Sequence, residues 1–316
     1  MAKIWTAGEI IVEIMRVKED KPLDEEHTFR GPFPSGAPAI FISAAAQLGA
    51  QAKIWGGVGR DKFGDLLLRR LKADGVDVSD IQIAGEGATG TAFVAYQANG
   101  DREFIFHIDG TPSANIDFKE NGQIPDFFHV MGCSLTVNSK MRSEIEHAVQ
   151  YFAQNKAKIS FDPNIRPSLL AGRSIMEIAG VVMEHCSVFL PGSDELMLFA
   201  GGADSTAGAA EALFQRFPKL EIIHVKKGKR GSQIITRSAT VDIPIYQIEK
   251  TYPIVDPTGS GDSFDAAFVT ALAGGLELEK AGALAAKAGA INAAALGPMG
   301  GKIKELINKA LAGEAQ

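Results

Sequence analysis

The sequence predicts an α/β protein with a doubly wound, mostly parallel sheet and helices on both faces. Short apolar runs alternate along the chain with longer segments of helical periodicity, as in repeated strand–helix units. The chain has 316 residues, of which 46 % are hydrophobic and 22 % are charged. That length suits one large α/β unit, and that composition excludes a mainly disordered protein.

The predicted core elements follow one another in a regular order. The first strand is Ile4–Ala7, and a helix ends at Leu48-Gly49. Strand and helix then pair as Ala52–Val58 with Phe63–Ala73, Phe127–Met131 with Ser139–Asn155, Lys158–Asp162 with Ser174–Glu184, and Ser187–Leu190 with Asp194–Ala200. The helix Ala207–Arg216, the strand Ile222–Lys226 and a helix-rich segment from Ser263 onward complete the core.

Two regions interrupt this order and predict a small antiparallel sheet outside the core. Ile10–Val17 alternates apolar and polar residues, and so do Thr91–Gln97 and Glu103–Ile108 on either side of Asn99-Gly100-Asp101. Asn-Gly favours a tight hairpin turn. From the pattern alone, these strands are either edge strands of the core or a lid over a cleft, with lid segments at about 9–34 and 89–112. No linker divides the chain, so residues 1–316 are interpreted as one domain.

Charge and composition exclude several classes of protein. The net charge is −6 and no Lys/Arg stripe stands out, so we expect neither a nucleic-acid nor a membrane partner. No apolar stretch approaches twenty residues, and the N-terminus lacks a signal pattern, so a cytoplasmic location is expected. The two cysteines, Cys133 and Cys186, are too few for a four-ligand zinc site and are expected to be buried free thiols.

The segment most informative about chemistry runs from Asp256 to Asp262 and leads into an apolar helical run. A glycine-rich turn at a helix start directs backbone N–H groups at one anion, and the helix dipole adds attraction. Asp262 falls in the first helical turn, where it could accept a proton from a hydroxyl that attacks a phosphoryl group. Ordinary N-capping explains the same residues equally well from physics alone.

This segment resembles the second signature of the ribokinase-like (PfkB) carbohydrate kinases, Asp-Thr-x-Gly-Ala-Gly-Asp-x-Phe. The matching residues are Asp256, Thr258, Gly259, Gly261, Asp262 and Phe264, with Pro257 and Ser260 as departures. The resemblance implies a ribokinase-like fold with a β lid, an anion hole at Gly259, Ser260 and Gly261, and Asp262 as catalytic base. It also implies a monovalent cation, such as K⁺, near Asp256.

The same resemblance indicates where the sugar binds. Ser35-Gly36-Ala37-Pro38-Ala39-Ile40 is similar to the family's sugar-site motif Gly-Gly-Ala-Pro-x-Asn; Gly36 matches, whereas Ser35 and Ile40 depart. Glu13 stands where many relatives carry an aspartate that binds sugar hydroxyls, and its alternative is an exposed lid residue. Arg166, in Asp162-Pro163-Asn164-Ile165-Arg166, would reach phosphate or substrate, or else form a structural pair with Asp162. His107 would bind a hydroxyl or have no function.

The nucleotide and metal residues are assigned by the same resemblance. Lys226 and Gly228 are similar to the nucleotide-proximal strand and turn, and Asn292 is a candidate for the adenine pocket or a helix-packing residue. Glu195 matches the family's Asn-x-x-Glu, although Gly192 replaces the asparagine. A carboxylate there would organise Mg²⁺ through water, or else stabilise a helix start.

The sequence therefore predicts an ATP- and Mg²⁺-dependent kinase that phosphorylates a primary hydroxyl of a neutral sugar. Relatives acting on 2-keto-3-deoxygluconate place an arginine where this chain has Ile108, so a ketohexose such as tagatose or fructose is preferred. A 2-keto-3-deoxygluconate kinase and a non-catalytic sugar-binding protein are the alternatives. Motifs for a Walker-type NTPase, a nicotinamide dehydrogenase and a serine hydrolase are missing. The lid could also pair two subunits, so a homodimer is expected.

Overall fold

A computed structural model describes residues 1–17, 20–97, 102–165, 170, 172–248 and 252–303. Its strands are β1 (Lys3–Ala7), β2 (Ile11–Arg16), β3 (Phe29–Ser35), β4 (Gln51–Gly59), β5 (Ile81–Ala84), β6 (Thr91–Tyr96), β7 (Arg102–His107), β8 (Phe127–Met131), β9 (Lys158–Asp162), β10 (Cys186–Phe189), β11 (Ile222–Lys226), β12 (Ser232–Thr236) and β13 (Thr240–Ile243). Its helices are α1 (Ala37–Gln47), α2 (Lys62–Asp74), α3 (Ser134–Val137), α4 (Ser139–Gln154), α5 (Ile175–His185), α6 (Ser193–Phe199), α7 (Thr206–Arg216), α8 (Ser260–Ala273) and α9 (Leu278–Ala293).

The core is a nine-stranded sheet in the order β13-β12-β11-β10-β9-β8-β1-β4-β5. Strands β11 to β5 of that order are parallel, and only the β12–β13 end is antiparallel. Consecutive strand residues face opposite sides of a sheet, so Ile4 packs under α1, α2, α8 and α9 whereas Trp5 packs under α4 to α7. Both faces are therefore covered, which confirms the predicted fold class.

The second sheet has four strands in the order β3-β2-β6-β7. Its strands fall within the two predicted lid segments. Strands β2–β3 and β6–β7 pair antiparallel as expected, but β2 and β6 pair parallel, with Val12 opposite Thr91. The predicted small antiparallel sheet is confirmed, and it includes this one parallel pairing because β2 and β6 come from different parts of the chain with no hairpin between them. The predicted turn Asn99-Gly100-Asp101 lies outside the described residues.

Most predicted elements agree with the structure within one or two residues, and one difference affects the site. Helix α8 begins at Ser260, three residues before the predicted start, because Gly259 adopts the left-handed conformation at its N-cap (φ +76°). Glycine adopts that conformation without the steric cost of a side chain. Within the described residues, no helix is long and apolar enough to cross a membrane.

Candidate active site

A cleft of about 350 Å³ lies between the lid and the carboxyl ends of the core strands. Residues at or just after the carboxyl ends of β1, β8, β9, β10 and β11 line it, which is where open parallel sheets bind ligands. Its acidic lining residues are Glu9, Glu13, Asp109, Asp162, Glu195 and Asp262. Its apolar walls include Ile11, Ile40, Phe104, Phe106 and Ile108. The lid thus contributes a hydrophobic cover over a polar floor.

The predicted anion hole is a turn, residues 256–262, that ends in the first turn of α8. Gly259 cannot be replaced easily, because a Cβ there would lie 2.2 Å from the Pro298 carbonyl oxygen. Gly261 is different, since a Cβ there would meet open space. The first N–H groups of a helix have no intrahelical partner, so this turn can present donors to an anion in the cleft.

Ser260 differs from its predicted place in the anion hole. Its backbone N–H donates to the Pro257 carbonyl at 3.2 Å, and the cleft is lined by Gly259, Gly261 and Asp262 instead. The turn geometry explains this, because Ser260 immediately follows the left-handed Gly259 and its amide closes the turn. The anion-hole assignment of Gly259 and Gly261 stays a prediction.

Asp256 connects the 256–262 turn to the lid. Its Oδ1 accepts hydrogen bonds from the Thr258 N–H and the Tyr96 hydroxyl, both at 2.9 Å, and its Oδ2 accepts one from the Gly297 N–H at 3.0 Å. The Tyr96 hydroxyl also contacts the Thr258 hydroxyl. Burial and the Asp256 charge raise the pKa of Tyr96 above its usual range, so the phenol stays a neutral donor. A monovalent cation at Asp256 stays a prediction.

Asp262 is buried and faces the cleft, as a catalytic base must. The side-chain amide of Asn164 lies 3.4 Å from Asp262 Oδ1 and donates toward it. Asn164 also lines the cleft and has a left-handed backbone (φ +41°). Sequence reasoning missed Asn164, because its proximity to Asp262 arises only when β9 and α8 pack together.

Two ion pairs that share Lys226 lie at the cleft floor. The Lys226 ammonium is 3.0 Å from Asp162 Oδ2 and 2.7 Å from Asp265 Oδ2. Burial alone would lower the pKa of Lys226, but the two carboxylates raise it above its usual range, so the ammonium stays charged. Burial raises the pKa of Asp265. Lys226 was predicted to bind the nucleotide; it does line the cleft, but both ion pairs hold its ammonium within the protein.

Glu195 stabilises a helix start, which is one of the two roles that the sequence left open; its role toward Mg²⁺ stays a prediction. Its Oε1 accepts a hydrogen bond from the Ile165 N–H at 2.8 Å, and its Oε2 accepts one from the Gly192 N–H at 2.7 Å and so caps α6. Burial, then the Asp162 charge, raises the pKa of Glu195. Gly192 contributes only its backbone N–H to this cap. The cap therefore does not need the asparagine side chain that the family motif has at this position.

The described carboxylates of the cleft fit Mg²⁺ that is bound together with a nucleotide, but they do not form a metal site of their own. Among the residues that the structure describes, no three His, Cys, Asp or Glu side chains are grouped closely enough to hold a metal ion. Mg²⁺ usually keeps several waters and is held by one or two carboxylates together with substrate phosphates. Glu195 lines the cleft and suits contact through water, so the residues present fit a metal that arrives with its nucleotide.

Two buried glutamates, Glu9 and Glu13, lie at the end of the cleft where the sequence predicts the sugar, which is called the sugar end below. Ser35 Oγ donates to Glu13 Oε2 at 3.1 Å. Gly36 is left-handed (φ +103°), and a Cβ there would lie 2.5 Å from the Glu9 carbonyl oxygen. Sequence reasoning missed Glu9, whose Oε2 accepts a bond from Ser134 Oγ at 2.5 Å and whose Oε1 accepts one from Cys133 Sγ at 3.3 Å. Ile40, where the family motif has asparagine, adds an apolar wall.

Strand β7 places His107 outside the cleft and Arg102 in its lining. His107 is exposed, with its ring edge-on to Phe93 at 6.3 Å, on the face of β7 opposite to Phe106 and Ile108. The prediction that His107 binds sugar is therefore wrong for this lid position, because side chains alternate along a strand. The same alternation brings Arg102 into the cleft lining, which sequence reasoning missed.

Two further predicted residues, Asn292 and Gly228, are not part of the cleft lining. Asn292 is buried, and its amide donates to the Thr258 carbonyl at 2.7 Å and the Pro298 carbonyl at 3.1 Å, so it supports the 256–262 turn from behind. That position contradicts an adenine contact. Gly228 is exposed in the turn after β11, with φ +57°. Arg166 lies outside the described residues.

Both cysteines are free, as predicted. Cys186 is buried, whereas Cys133 is only half-buried and lines the cleft beside Glu9. The expectation that both thiols are buried is therefore wrong for Cys133, because it follows the carboxyl end of β8 and belongs to the ligand-binding edge of the sheet.

Comparisons with known proteins show the family to which the chain belongs. A family model described as pfkB family carbohydrate kinase matches residues 1–304. The fructokinase of Salmonella typhimurium is 27 % identical over 278 residues, covering 86 % of this chain and 85 % of its own length. The fructokinase of Solanum tuberosum is 29 % identical over 280 residues, covering 84 % and 80 %.

Solved structures of related proteins have the same fold over nearly the whole chain. An E. coli protein described as a candidate ribokinase II superimposes with a TM-score of 0.84 at 32 % identity, covering 98 % of this chain and 100 % of that one. Its complex with ATP and Mg²⁺ gives the same values. A fructokinase from Xylella fastidiosa, solved with bound ATP, has a TM-score of 0.79 at 20 % identity and shares the fold.

Proposed function

The chain belongs to the pfkB family of carbohydrate kinases, and we propose that it transfers the γ-phosphoryl group of ATP to a primary hydroxyl of a neutral ketohexose, fructose or tagatose. One observation supports this most strongly. Asp262, the first turn of α8 and the buried Glu13 line one cleft beneath a single lid. The cleft thus holds a proton acceptor, a turn that can bind phosphate, and a carboxylate that can accept hydrogen bonds from sugar hydroxyls.

The reaction follows from the positions of these groups. The Asp262 carboxylate accepts the proton of the attacking sugar hydroxyl, whose oxygen bonds to the γ-phosphorus as the bond to the ADP oxygen breaks. The N–H groups of Gly261 and Asp262 stabilise the negative charge on the transferring group. Mg²⁺, when bound with ATP near Glu195, would neutralise charge on the phosphates. Gly228, in the turn directly after β11, would lie beside the nucleotide.

The lid completes the site. Phe104, Phe106 and Ile108 face the cleft from β7 and its end, and they exclude water from it. Water would otherwise compete with the sugar hydroxyl for the γ-phosphoryl group, so closure limits wasteful ATP hydrolysis.

Charge at the sugar end favours a neutral substrate. Glu9, Glu13 and Asp109 come from three different segments and present carboxylates to the same end of the cleft. Carboxylates accept hydrogen bonds from several hydroxyls at once, and they repel a carboxylate or phosphate on the sugar. The fructokinases among the relatives support a ketohexose.

One observation favours a second candidate, 2-keto-3-deoxygluconate. Arg102 lines the cleft from the lid, and its guanidinium lies 5.8 Å from the Phe104 ring centroid. A guanidinium can grip a carboxylate with two hydrogen bonds, which Ile108 cannot. Arg166 would be a further partner for such a carboxylate.

The deciding experiment incubates the protein with ATP, Mg²⁺ and single sugars and measures ADP formation. We expect kcat/KM for fructose or tagatose to exceed that for 2-keto-3-deoxygluconate by at least about tenfold, or roughly 1.4 kcal/mol. Preference for the keto acid, lost in Arg102→Gln, would establish the second candidate instead. ADP formation with none of these sugars would overturn the assignment of a ketohexose.

We also propose that two copies pair through their lids. The outer lid face exposes Phe29 (37 %) and Ile105 (44 %), and such apolar side chains suit an interface. Light scattering at micromolar concentration should then give twice the mass of one chain. The Ile105→Glu variant should give a measured mass closer to that of one chain. The exposed Ile83→Glu, on core strand β5, is the matched control. A monomer in the wild-type protein would contradict the dimer.

A further inference from the structure

Asn164, in the turn that follows β9, has a strained backbone that hydrogen bonds fix at two consecutive N–H groups. Asn164 has φ +41°, a left-handed conformation that side chains other than glycine adopt at a cost. Its backbone N–H donates to Asp162 Oδ1 at 3.1 Å, and the next N–H, of Ile165, donates to Glu195 Oε1 at 2.8 Å. Two carboxylates thus fix the backbone immediately before and after the Asn164 carbonyl group.

The carboxylate on the first side is itself anchored. Asp162 Oδ2 lies 3.0 Å from the Lys226 ammonium, which also binds Asp265 on α8 at 2.7 Å. Asp265 is one helical turn after Asp262 on the same helix. The ion pairs therefore fix β9 and α8 relative to each other, and with them the turn that carries Asn164 and the helix that carries Asp262.

The strained conformation directs the Asn164 side chain at Asp262. Its Nδ2 lies 3.4 Å from Asp262 Oδ1, and both residues line the cleft. An amide donor on one carboxylate oxygen restricts rotation of that carboxylate and leaves the other oxygen directed elsewhere. A residue that served only the turn would need no side-chain amide, because glycine adopts this backbone conformation more readily.

We propose that Asn164 is a positioning residue, whose amide orients the Asp262 carboxylate toward the attacking hydroxyl. The proposal rests on the assignment of Asp262 as the base. It explains why an asparagine, which tolerates left-handed backbone better than most residues, stands at this position. Misplacement of a reacting group by about 1 Å can cost up to about 100-fold in rate.

The test separates backbone strain from side-chain chemistry with two variants. Asn164→Gly keeps the left-handed turn and removes the amide, whereas Asn164→Ala removes the amide and adds strain. We expect Asn164→Gly to retain or raise the melting temperature while kcat falls by about 10- to 100-fold, with little change in KM for the sugar. The assay uses saturating ATP and whichever of fructose and tagatose the wild-type protein phosphorylates faster. Asn164→Ala should lose both melting temperature and kcat.

The control combines Asn164→Gly with Asp262→Asn in one protein. If the amide acts through the carboxylate, Asn164→Gly should lower kcat by less than twofold in the Asp262→Asn background. An Asn164→Gly protein with kcat within twofold of wild type, while Asp262→Asn is strongly impaired, would overturn the positioning role and leave the base intact. Normal turnover in Asp262→Asn would instead overturn the base assignment, and the positioning role with it.

Discussion

The Ser35 hydroxyl donates a 3.1 Å hydrogen bond to Glu13 Oε2, and both side chains are buried at the sugar end of the cleft. Each residue departs from the signature that the chain otherwise resembles, since Ser35 replaces a glycine and Glu13 a shorter aspartate. The two departures are therefore in contact. A longer carboxylate has more rotamers, and the serine hydroxyl restricts them.

Removing that hydroxyl should weaken sugar binding more than catalysis. We expect Ser35→Ala to raise KM for the ketohexose about fivefold, the equivalent of about 1 kcal/mol for one hydrogen bond, with kcat within twofold. Initial rates at varied sugar concentration measure both. Ser238→Ala, on an exposed turn, is the control and should leave KM unchanged. An unchanged KM in Ser35→Ala would show that sugar binding does not depend on the hydrogen bond from Ser35 to Glu13.

The two glycines of the anion turn should respond differently to the same substitution. Gly259→Ala places a Cβ 2.2 Å from the Pro298 carbonyl at φ +76°, so we expect a loss of stability of about 2 kcal/mol or more. Gly261→Ala adds a methyl group in open space on the cleft side of a helix start. It should keep its melting temperature yet lose at least about tenfold in kcat/KM, because the methyl group obstructs the phosphoryl position. Full activity in Gly261→Ala would place the phosphate elsewhere.

Tyr96 connects the lid to the anion turn through Asp256 and Thr258. Tyr96→Phe keeps the ring and removes the hydroxyl, so the lid should close less often over the turn. We expect lower kcat for sugar phosphorylation and a larger share of ATP hydrolysed without sugar, measured as ADP formed against sugar phosphate formed. Tyr151→Phe, whose ring packs against Phe118 away from the cleft, is the control. If Tyr96→Phe forms ADP and sugar phosphate in the same ratio as the wild-type protein, a role of Tyr96 in lid closure would be contradicted.

Two buried histidines should make stability depend on pH. Burial lowers the pKa of both His129 and His224 from 6.5 to about 3. Below pH 6.5 the unfolded chain binds protons that the folded chain does not, so the free energy of unfolding falls as pH falls toward 3. Each histidine contributes a slope approaching about 1.4 kcal/mol per pH unit. Urea unfolding between pH 7 and 5.5 measures it.

Substitution isolates each contribution. His224→Gln should reduce the slope by one histidine's share, and His129→Gln should do the same. A free energy of unfolding that is flat from pH 7 to 5.5 in the wild-type protein would show that these rings are not buried neutral.

Much of the fold could be predicted because strand and helix periods are local properties of the sequence. The strand Phe127–Met131 agrees at both ends, since its apolar run lies between Asp126 and Gly132. The parallel pairing of β2 with β6 could not be predicted, because Val12 and Thr91 are distant in the chain and no turn connects their strands directly.

The site was predictable only where one short segment carries it. Asp262 and Gly259 stand in one motif, and the structure places both in the cleft lining. Asn164 and Glu9 depend on the packing of separate strands, so no local pattern indicates them. Arg102 could have been found, because it has the same strand parity as Phe106, whereas His107 has the opposite one.

Asp265 is not a neutral comparison for Asp262, although it lies one helical turn away. Its place one turn beyond Asp262 makes it look like a neutral comparison in the sequence. It is fully buried and pairs with Lys226, so Asp265→Asn would disturb the core. Asp204, an exposed carboxylate, is the better control.

The most direct test of the account is the rate of sugar phosphorylation by Asp262→Asn. This change keeps the shape of the side chain and removes the proton acceptor, so kcat should fall by about 10²- to 10⁴-fold while ATP still binds. Asp204→Asn should retain wild-type kcat, and circular dichroism should show all three proteins folded. A folded Asp262→Asn protein with kcat within threefold of wild type would contradict the assignment of Asp262 as the catalytic base.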